Sequence, residues 1–338
     1  MENKATLSSY DNETVDGGRW DNDTDADDND DDDDNDHLYF SNTTAHVRAL
    51  ILTCLVLFSL FTMVSNGLVI VSVAKIRRLQ TAANITIVNL ACYDFVVGAV
   101  LWTAVLPRDT RLRCVVFTGY GVFNIVSSMA GMALCTINRY TAISYPLRYP
   151  LLMTPARTGW LIAACITYAM LMSVGGMIQV ALRWRPSALC IPGRMMTRAY
   201  AYYVFSHYLV LFVLMSYCYG VIARIAWTHT KRMATASNEE RQEMSAFHAT
   251  LKMSKIILTV VGTSWTLLGP HMLYMCLLLA YPNSGNEWWL QALRVIRING
   301  LILNSFLNPI VYFYKFMDFR LAVRELFGCK KPSVAPLP

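Results

Sequence analysis

Seven long apolar stretches, separated by short polar breaks, constrain this chain more than any other feature. They cover residues 47–75, 83–107, 112–144, 157–182, 200–228, 251–281 and 289–314. Each can cross a hydrocarbon core, which takes about 20 helical residues. Backbone groups in lipid must be hydrogen-bonded within their own segment, so each stretch is predicted to be an α-helix. With 55% hydrophobic and 15% charged residues, the chain is predicted to be an all-α membrane protein, with a seven-transmembrane helix bundle over residues 45–314.

Residues 1–44 are predicted to form a disordered, acidic tail. An aspartate-rich run between Asp21 and Asp36 would repel itself and resist folding. Asn12, Asn22 and Asn42 each begin an Asn-x-Ser/Thr sequon, so all three are candidates for glycosylation if the tail is extracellular. The chain does not begin with a charged segment followed by an apolar one, so the first apolar helix is expected to act as the insertion signal.

The distribution of lysines predicts the orientation in the membrane. Every lysine after Lys4 falls on the side of the C-terminus, which marks that side as the cytoplasm and places the N-terminus outside. Arginines oppose this assignment, because several fall on the predicted extracellular side: Arg108, Arg111, Arg113, Arg183, Arg185, Arg194 and Arg198. The lysines and sequons together favour the first assignment.

Residues 315–338 are predicted to form an amphipathic helix on the inner leaflet, followed by a short cytoplasmic tail. Apolar and basic residues alternate at helical spacing from Lys315 to Phe327. Cys329 is a candidate for palmitoylation, with a free thiol as the alternative. Cys114 and Cys190 both lie at segment ends or loops on the predicted outer side, which makes them a candidate disulfide.

Other classes of protein are less consistent with these patterns. The acids and bases that give the net charge of +6 are segregated along the chain, so nucleic acid is not an expected partner. Transporters usually contain paired halves, and the chain has no internal repeat. No Gly-x-Ser-x-Gly or metal-binding His/Glu motif indicates an enzyme. A non-signalling seven-helix protein stays open as an alternative.

Motifs within the stretches resemble those of rhodopsin-like G-protein-coupled receptors over residues 47–329. The first stretch contains SNGLVIV with Asn66, the second NLACYD with Asp94, and the fourth Trp160. The third begins near Cys114 and ends in Asn138, Arg139 and Tyr140, and the seventh reads NSFLNPIVYFY, with Asn308, Pro309 and Tyr312. The resemblance implies a plasma-membrane receptor that couples an extracellular ligand to heterotrimeric G proteins, with structural roles for Asn66 and Trp160.

The resemblance also implies a sodium pocket in mid-membrane. Asp94 is the only carboxylate deep within the seven stretches, and such a residue is usually functional. Hard oxygen ligands suit a small cation, with Na⁺ acting as an allosteric ion. The expected ligand set is Asp94, Ser128, Asn304, Ser305 and Asn308. A set of interhelical hydrogen bonds is the alternative interpretation.

Arg139 is expected to engage the G protein, because a charged fork at the inner end of the third helix can donate hydrogen bonds to carbonyls of an inserted peptide. In the resembling family, an aspartate before this arginine and an acid on the sixth helix usually restrain it. Here those positions are Asn138 and Thr250, so appreciable basal signalling is predicted. Tyr219 and Tyr312 match the family's two inner tyrosines, although tyrosines are also common at membrane interfaces.

Several positions depart from the family pattern. The tryptophan expected two residues before Pro270 is Leu268, and Trp265 lies one turn further in. The proline of the fifth helix is replaced by Leu211, and the connector positions are Met129 and Ser264. Pro270 is still expected to supply a hinge in the sixth helix. The route from the ligand to Arg139 must therefore pack differently.

The ligand is less constrained than the fold. The aspartate that amine receptors use on the third helix is Gly121 here, and the opsin lysine is Ile302. A weaker resemblance to melatonin receptors rests on NRY, the first helix and His207, which could bond a neutral indole or a partner within the bundle. The expected ligand-binding residues are Gly121, His207, Leu268, Met272 and Arg194.

The outer arginines suggest an anionic ligand, such as a nucleotide, a fatty acid or an acidic peptide. The tethered aspartate run would then be an internal competitor for the same site. Solvated charges are the alternative for both. Ser333 is the one phosphorylatable residue after Cys329, so any arrestin partner is expected to depend on hydroxyl residues of the third inner loop: Thr228, Thr230, Thr235, Ser237 and Ser245.

Overall fold

The computed structural model describes residues 45–101, 103, 110–185, 190, 195–235, 245–281 and 288–328, without the side chains of 45, 47, 48, 233–235 and 245–258. The predictions for Asn12, Asn22, Asn42, Arg108, Arg194 and Cys329 lie outside the described residues. The restraining position Thr250 lies in a helix, but its side chain is among those not described.

Seven long helices and one short helix account for most of the described residues. The long helices are α1 (Ala45–Lys75), α2 (Ala82–Leu101), α3 (Arg111–Ser144), α4 (Pro155–Arg183), α5 (Arg198–Thr235), α6 (Ser245–Ala280) and α7 (Trp288–Lys315), and the short one after them is α8 (Met317–Leu326). A single 3-10 turn (Arg77–Leu79) and a single helical turn (Tyr149–Leu152) lie in the connections. Among these residues, five segments are long and apolar enough to cross a membrane, one in each of α1 to α5. At 1.5 Å per residue, α6 and α7 are about 54 and 42 Å long, which also exceeds a hydrocarbon core. The predicted helical bundle is confirmed.

Local sequence explains where two of the helices begin. The Thr110 hydroxyl accepts a hydrogen bond from the backbone N–H of Arg113 (3.3 Å), and the Thr154 hydroxyl accepts one from Arg157 (3.2 Å). These N-caps satisfy donors that the first helical turn leaves unpaired. Pro155 follows at the first position of α4, where its missing N–H is not needed.

The core lies where α3 crosses the other helices. α3 contacts α2, α4, α5 and α6, while α7 contacts α1, α2, α6 and α8. Large side chains that are fully buried between them include Met132, Met215 and Val261. Many large apolar side chains point outward instead, which suits contact with lipid. Trp160 is one of these, with 78% of its side chain exposed, so its predicted structural role is not packing inside the bundle.

The amphipathic helix α8 follows α7 directly. Its Phe319 and Ala322 are buried, and an ion pair of 2.9 Å joins Glu325 to Arg78, which follows α1. Both charged side chains of that pair are about half exposed, so it contributes little to stability. The apolar face of α8 fixes the helix against the bundle, as the alternating sequence predicts.

Candidate functional site

The disulfide marks one end of the bundle, which we call the disulfide end. Cys114 near the start of α3 is bonded to Cys190, as predicted. Val180 of α4 and Met195 pack around Cys114, so the bond is buried. The bond joins the connection between α4 and α5 to α3, beside the space enclosed by the helices.

Arg139 lies at the opposite end of α3 and is only 6% exposed. Its Nη2 atom is buried and has no hydrogen-bond partner among the described residues. The neighbouring Asn138 is uncharged and so cannot neutralise it, and Asn138 Oδ1 accepts a hydrogen bond from Tyr149 Oη at 3.2 Å. A buried charge without a counter-charge is costly, so this position favours any partner that supplies acceptors.

The two tyrosines predicted to act as switch residues, Tyr219 and Tyr312, are both buried. The Thr136 hydroxyl on α3 donates to Tyr219 Oη on α5 at 3.2 Å. Tyr312 on α7 is 1% exposed and packs against Phe316 and Phe319, with ring centroids 6.3 and 6.4 Å away. Within the described part, the Tyr312 hydroxyl has no partner. Tyr140 instead faces Tyr145 and Tyr217.

A polar cluster around Asp94 fills the middle of the bundle. Asn308 Nδ2 donates to Asp94 Oδ2 at 2.9 Å, and Ser305 interacts with the same carboxylate. Asn66 Nδ2 donates to the Ser305 carbonyl at 3.3 Å and so joins α1 to α7. Asn304 is also buried, and its Oδ1 atom has no partner in the region described.

Ser128, the remaining member of the predicted sodium pocket, is half-buried on α3. No hydrogen bond joins it to Asp94 in the structure of the described residues. One carboxylate with several neutral oxygens suits a monovalent cation better than a transition metal. The geometry therefore fits both the sodium interpretation and the interhelical hydrogen bonds, and the sodium pocket stays a prediction.

Trp265 links α6 to α5 between the two ends of the bundle. Its ring stacks on Phe212 at 4.5 Å and meets Tyr219 edge-on at 6.2 Å. Leu268, one turn nearer the disulfide end, is buried. The displaced tryptophan thus contacts the switch tyrosine directly. Pro270 lies inside the continuous helix α6, where the sequence places the hinge.

A set of aromatic and basic side chains lies toward the disulfide end. His207, His271 and Arg297 each lie nine residues from the disulfide end of their helices, about 13 Å deep. Tyr168 Oη and His207 Nδ1 are 3.1 Å apart, and His207 Nε2 is buried without a partner among described residues. The ring of Tyr208 is 5.9 Å from that of His271.

Arg297 was not predicted from the sequence as a site residue. Its Nη1 atom lies 3.4 Å from His271 Nδ1, and its guanidinium lies 4.1 Å from the centre of the Tyr274 ring. The sequence does contain a signal for this site, because Arg294 and Arg297 interrupt the apolar stretch 289–314. A cation there is expensive in lipid and usually faces the bundle interior.

The other predicted ligand residues differ in their surroundings. A Cβ added at Gly121 would meet no atom within 4 Å, so the position borders open space. Met272 is half-buried and packs against the core. The side chains around His207 and His271 provide a candidate ligand pocket at the disulfide end, and the sequence pattern assigns Gly121 to it.

Comparison with known proteins identifies the family. Residues 65–312 match the family model described as 7 transmembrane receptor (rhodopsin family). The chain is 26% identical over 301 residues to the histamine H2 receptor of Rattus norvegicus, covering 84% of this chain and 80% of the relative. It is 25% identical over 298 residues to trace amine-associated receptor 13c of Danio rerio, covering 80% and 83%.

A shorter match of 120 residues, 32% identical, is to octopamine receptor 1 of Lymnaea stagnalis, and covers 33% of this chain and 18% of the relative. These relatives are amine receptors by name, so they do not support the melatonin-receptor resemblance. The family is one of receptors rather than enzymes, and its members are membrane proteins. The match covers more than half of the chain and agrees with the helices, the disulfide and the motifs, and the chain therefore belongs to the rhodopsin family of seven-transmembrane receptors.

Proposed function

We propose that the protein is a plasma-membrane receptor, with its N-terminus and disulfide end outside, that activates heterotrimeric G proteins when a ligand binds. The observation that carries this proposal is Arg139, a buried arginine whose Nη2 atom has no partner among the described residues. A peptide inserted at this end could accept hydrogen bonds from the guanidinium through its carbonyls. The lysine distribution supports the same orientation.

Contacts of α6 with α5, and of α5 with α3, lie between the candidate pocket and this inner site. His271 and Leu268 lie on the face of α6 above Trp265, which meets Tyr219 on α5. Tyr219 is in turn hydrogen-bonded to Thr136, three residues before Arg139. A ligand that moves α6 would therefore disturb the contact between α5 and α3. The ligand shifts the equilibrium between two conformations of this contact only if it binds them with different affinities.

The ligand we propose is a small neutral or anionic molecule rather than an amine. An ammonium group is normally held by a carboxylate, and the position that supplies it in amine receptors is Gly121 here. Asp94 is the one carboxylate of α1 to α7 whose side chain is described, and it is already hydrogen-bonded to Asn308. The similarity to amine receptors therefore supports the receptor class, while the pocket chemistry favours another ligand.

The test measures agonist-free activation of each class of G protein in cells that express matched surface amounts of receptor. We expect wild-type activity above that of mock cells and its loss in Arg139→Ala. Arg320→Ala is the control, because it removes an exposed arginine of α8. Equal activity in wild-type and mock cells would contradict basal signalling. If, in addition, no ligand in a screen raised the activity, the alternative of a non-signalling seven-helix protein would replace this proposal.

A further inference from the structure

We propose that Arg297, together with His271 and Tyr274, binds an anionic group of the ligand, specifically a carboxylate. This inference rests on the proposed function, because it names the chemistry of the same ligand pocket. It differs from the sequence-based expectation, which placed the anion at the arginines of the outer turns.

Arg297 hydrogen-bonds His271 and Tyr274, and these contacts leave part of its donors free. A guanidinium can only donate, so at 3.4 Å the Nδ1 atom of His271 must accept from Arg297 Nη1. His271 is then neutral, with its proton on Nε2. The Tyr274 ring lies 4.1 Å from the guanidinium carbon and contributes a cation–π contact. Arg297 Nε is buried and unpaired in the described part.

No described carboxylate neutralises Arg297. The described acidic residues are Asp94, Asp318 and Glu325. Asp94 is hydrogen-bonded to Asn308, which follows Arg297 by eleven residues, about 16 Å along α7. The other two lie in α8, beyond the far end of α7. A cation that is largely removed from water needs a counter-charge, and the open side of the pocket is where a ligand can supply one.

The surroundings hold the arginine in place. One turn along α7 from Arg297, a Cβ added at Gly300 would lie 2.2 Å from the Leu267 carbonyl oxygen, so α6 and α7 approach very closely there. The two helices thus present His271 and Arg297 to each other at a fixed separation. Tyr208 and His207 extend the site as an aromatic wall. The arrangement suits a ligand with a flat apolar body and a carboxylate that pairs with the guanidinium fork.

A carboxylate could come from a free ligand or from the aspartates of residues 21–36 in the same chain. The experiment therefore uses purified receptor with and without residues 1–44, and measures melting temperature in detergent. The probes are indole-3-acetate, indole-3-acetamide and tryptamine, which share one aromatic body and carry a negative, neutral or positive group. This readout needs no G protein, so its failure is distinct from the failure of coupling.

We expect indole-3-acetate to raise the melting temperature of the tail-less receptor more than either other probe. Arg297→Gln should weaken the apparent affinity for indole-3-acetate at least tenfold, and Arg297→Lys should give an intermediate loss, because it keeps the charge without the fork. Arg320→Gln removes an exposed arginine of α8, far from this site, and should change the apparent affinity little. Without any probe, Arg297→Gln should not melt below the tail-less wild type, since it removes an unpaired charge.

Deleting residues 1–44 distinguishes the two possible sources of the carboxylate. If the tail occupies the site, deleting it lowers the melting temperature of the wild type but not of Arg297→Gln, and indole-3-acetate restores it. If the natural carboxylate is a free molecule, deletion leaves the melting temperature unchanged, and indole-3-acetate still stabilises through Arg297. The proposal is overturned if indole-3-acetate stabilises neither form, if Arg297→Gln binds it as well as the wild type, or if tryptamine stabilises more strongly.

Discussion

Gly300→Ala should separate α6 from α7 and destabilise the receptor. The added methyl group would lie 2.2 Å from the Leu267 carbonyl oxygen, which is about 1.2 Å short of ordinary contact at 3.4 Å. The obstructing atom belongs to the backbone, so no side-chain rotation can relieve the clash. One of the helices must move by roughly 1 Å. Overpacking of this kind costs about 1–3 kcal/mol.

The same displacement should also affect the ligand pocket. His271 Nδ1 and Arg297 Nη1 are already 3.4 Å apart, so a further 1 Å would break their hydrogen bond. Gly262→Ala is the matched control on α6, because a Cβ there would meet nothing within 4 Å. Alanine is favoured over glycine in a helix by up to about 1 kcal/mol, so this control should melt at or above the wild-type temperature.

The assay is thermal unfolding of the purified receptors in one detergent, followed by a thiol-reactive or intrinsic fluorescence signal. We expect Gly300→Ala to melt lower than wild type by roughly 2–10 °C, the range that such a free-energy loss gives for a chain of this size. A melting temperature equal to that of Gly262→Ala would show that the helices do not approach as closely as described. It would also remove the argument that the Arg297 site is held rigidly.

Three further predictions concern the rest of the bundle. Asp94→Asn should abolish any reduction of basal signalling by sodium, because it removes the carboxylate that pairs with Asn308. The measurement compares sodium with potassium at equal ionic strength. A sodium effect that persists in this variant would exclude the sodium pocket. Thr136→Val and Tyr219→Phe should each weaken the contact between α3 and α5. The free energy of unfolding lost by the double variant should be about 0.5–1.5 kcal/mol smaller than the sum of the two single losses. Strict additivity would show that the hydrogen bond does not form. Alanine at Thr228, Thr230, Thr235, Ser237 and Ser245 should reduce arrestin recruitment more than truncation after Gly328. The structure places the first three in α5 and Ser245 at the start of α6 rather than in a loop. Thr228 and Thr230 also donate to carbonyls within α5, so they must be released from the helix first. The opposite order would refute this segment as the docking element.

The number and type of helices could be predicted from the sequence because lipid imposes a simple rule. A spanning segment must be apolar and must satisfy its own hydrogen bonds, so seven apolar stretches predict seven helices without any tertiary information. The same reasoning identified Asp94, whose charge is conspicuous in an apolar run, and the structure places it against Asn308. The disulfide between Cys114 and Cys190 was also predictable, because these two cysteines lie at segment ends or loops on the predicted outer side.

The rotation of each helix about its axis could not be predicted in the same way. In a soluble protein, polar residues mark the outer face of a helix, but here both lipid and core are apolar, and composition differs little between faces. Trp160 points outward, which its position in the apolar stretch did not indicate. Trp265 could not be assigned to Phe212 and Tyr219 until α5 and α6 were packed.

The sequence by itself determined a helical membrane receptor with a charged arginine at one end, a carboxylate in the middle and no amine-binding aspartate at Gly121. Only the tertiary structure decided that Arg297 meets His271 and Tyr274, residues that lie 26 and 23 positions away on another helix. That pairing depends on the register between α6 and α7, which the close approach at Gly300 sets. Local sequence determines each helix, whereas register depends on shape complementarity between two surfaces and exists only once they are packed.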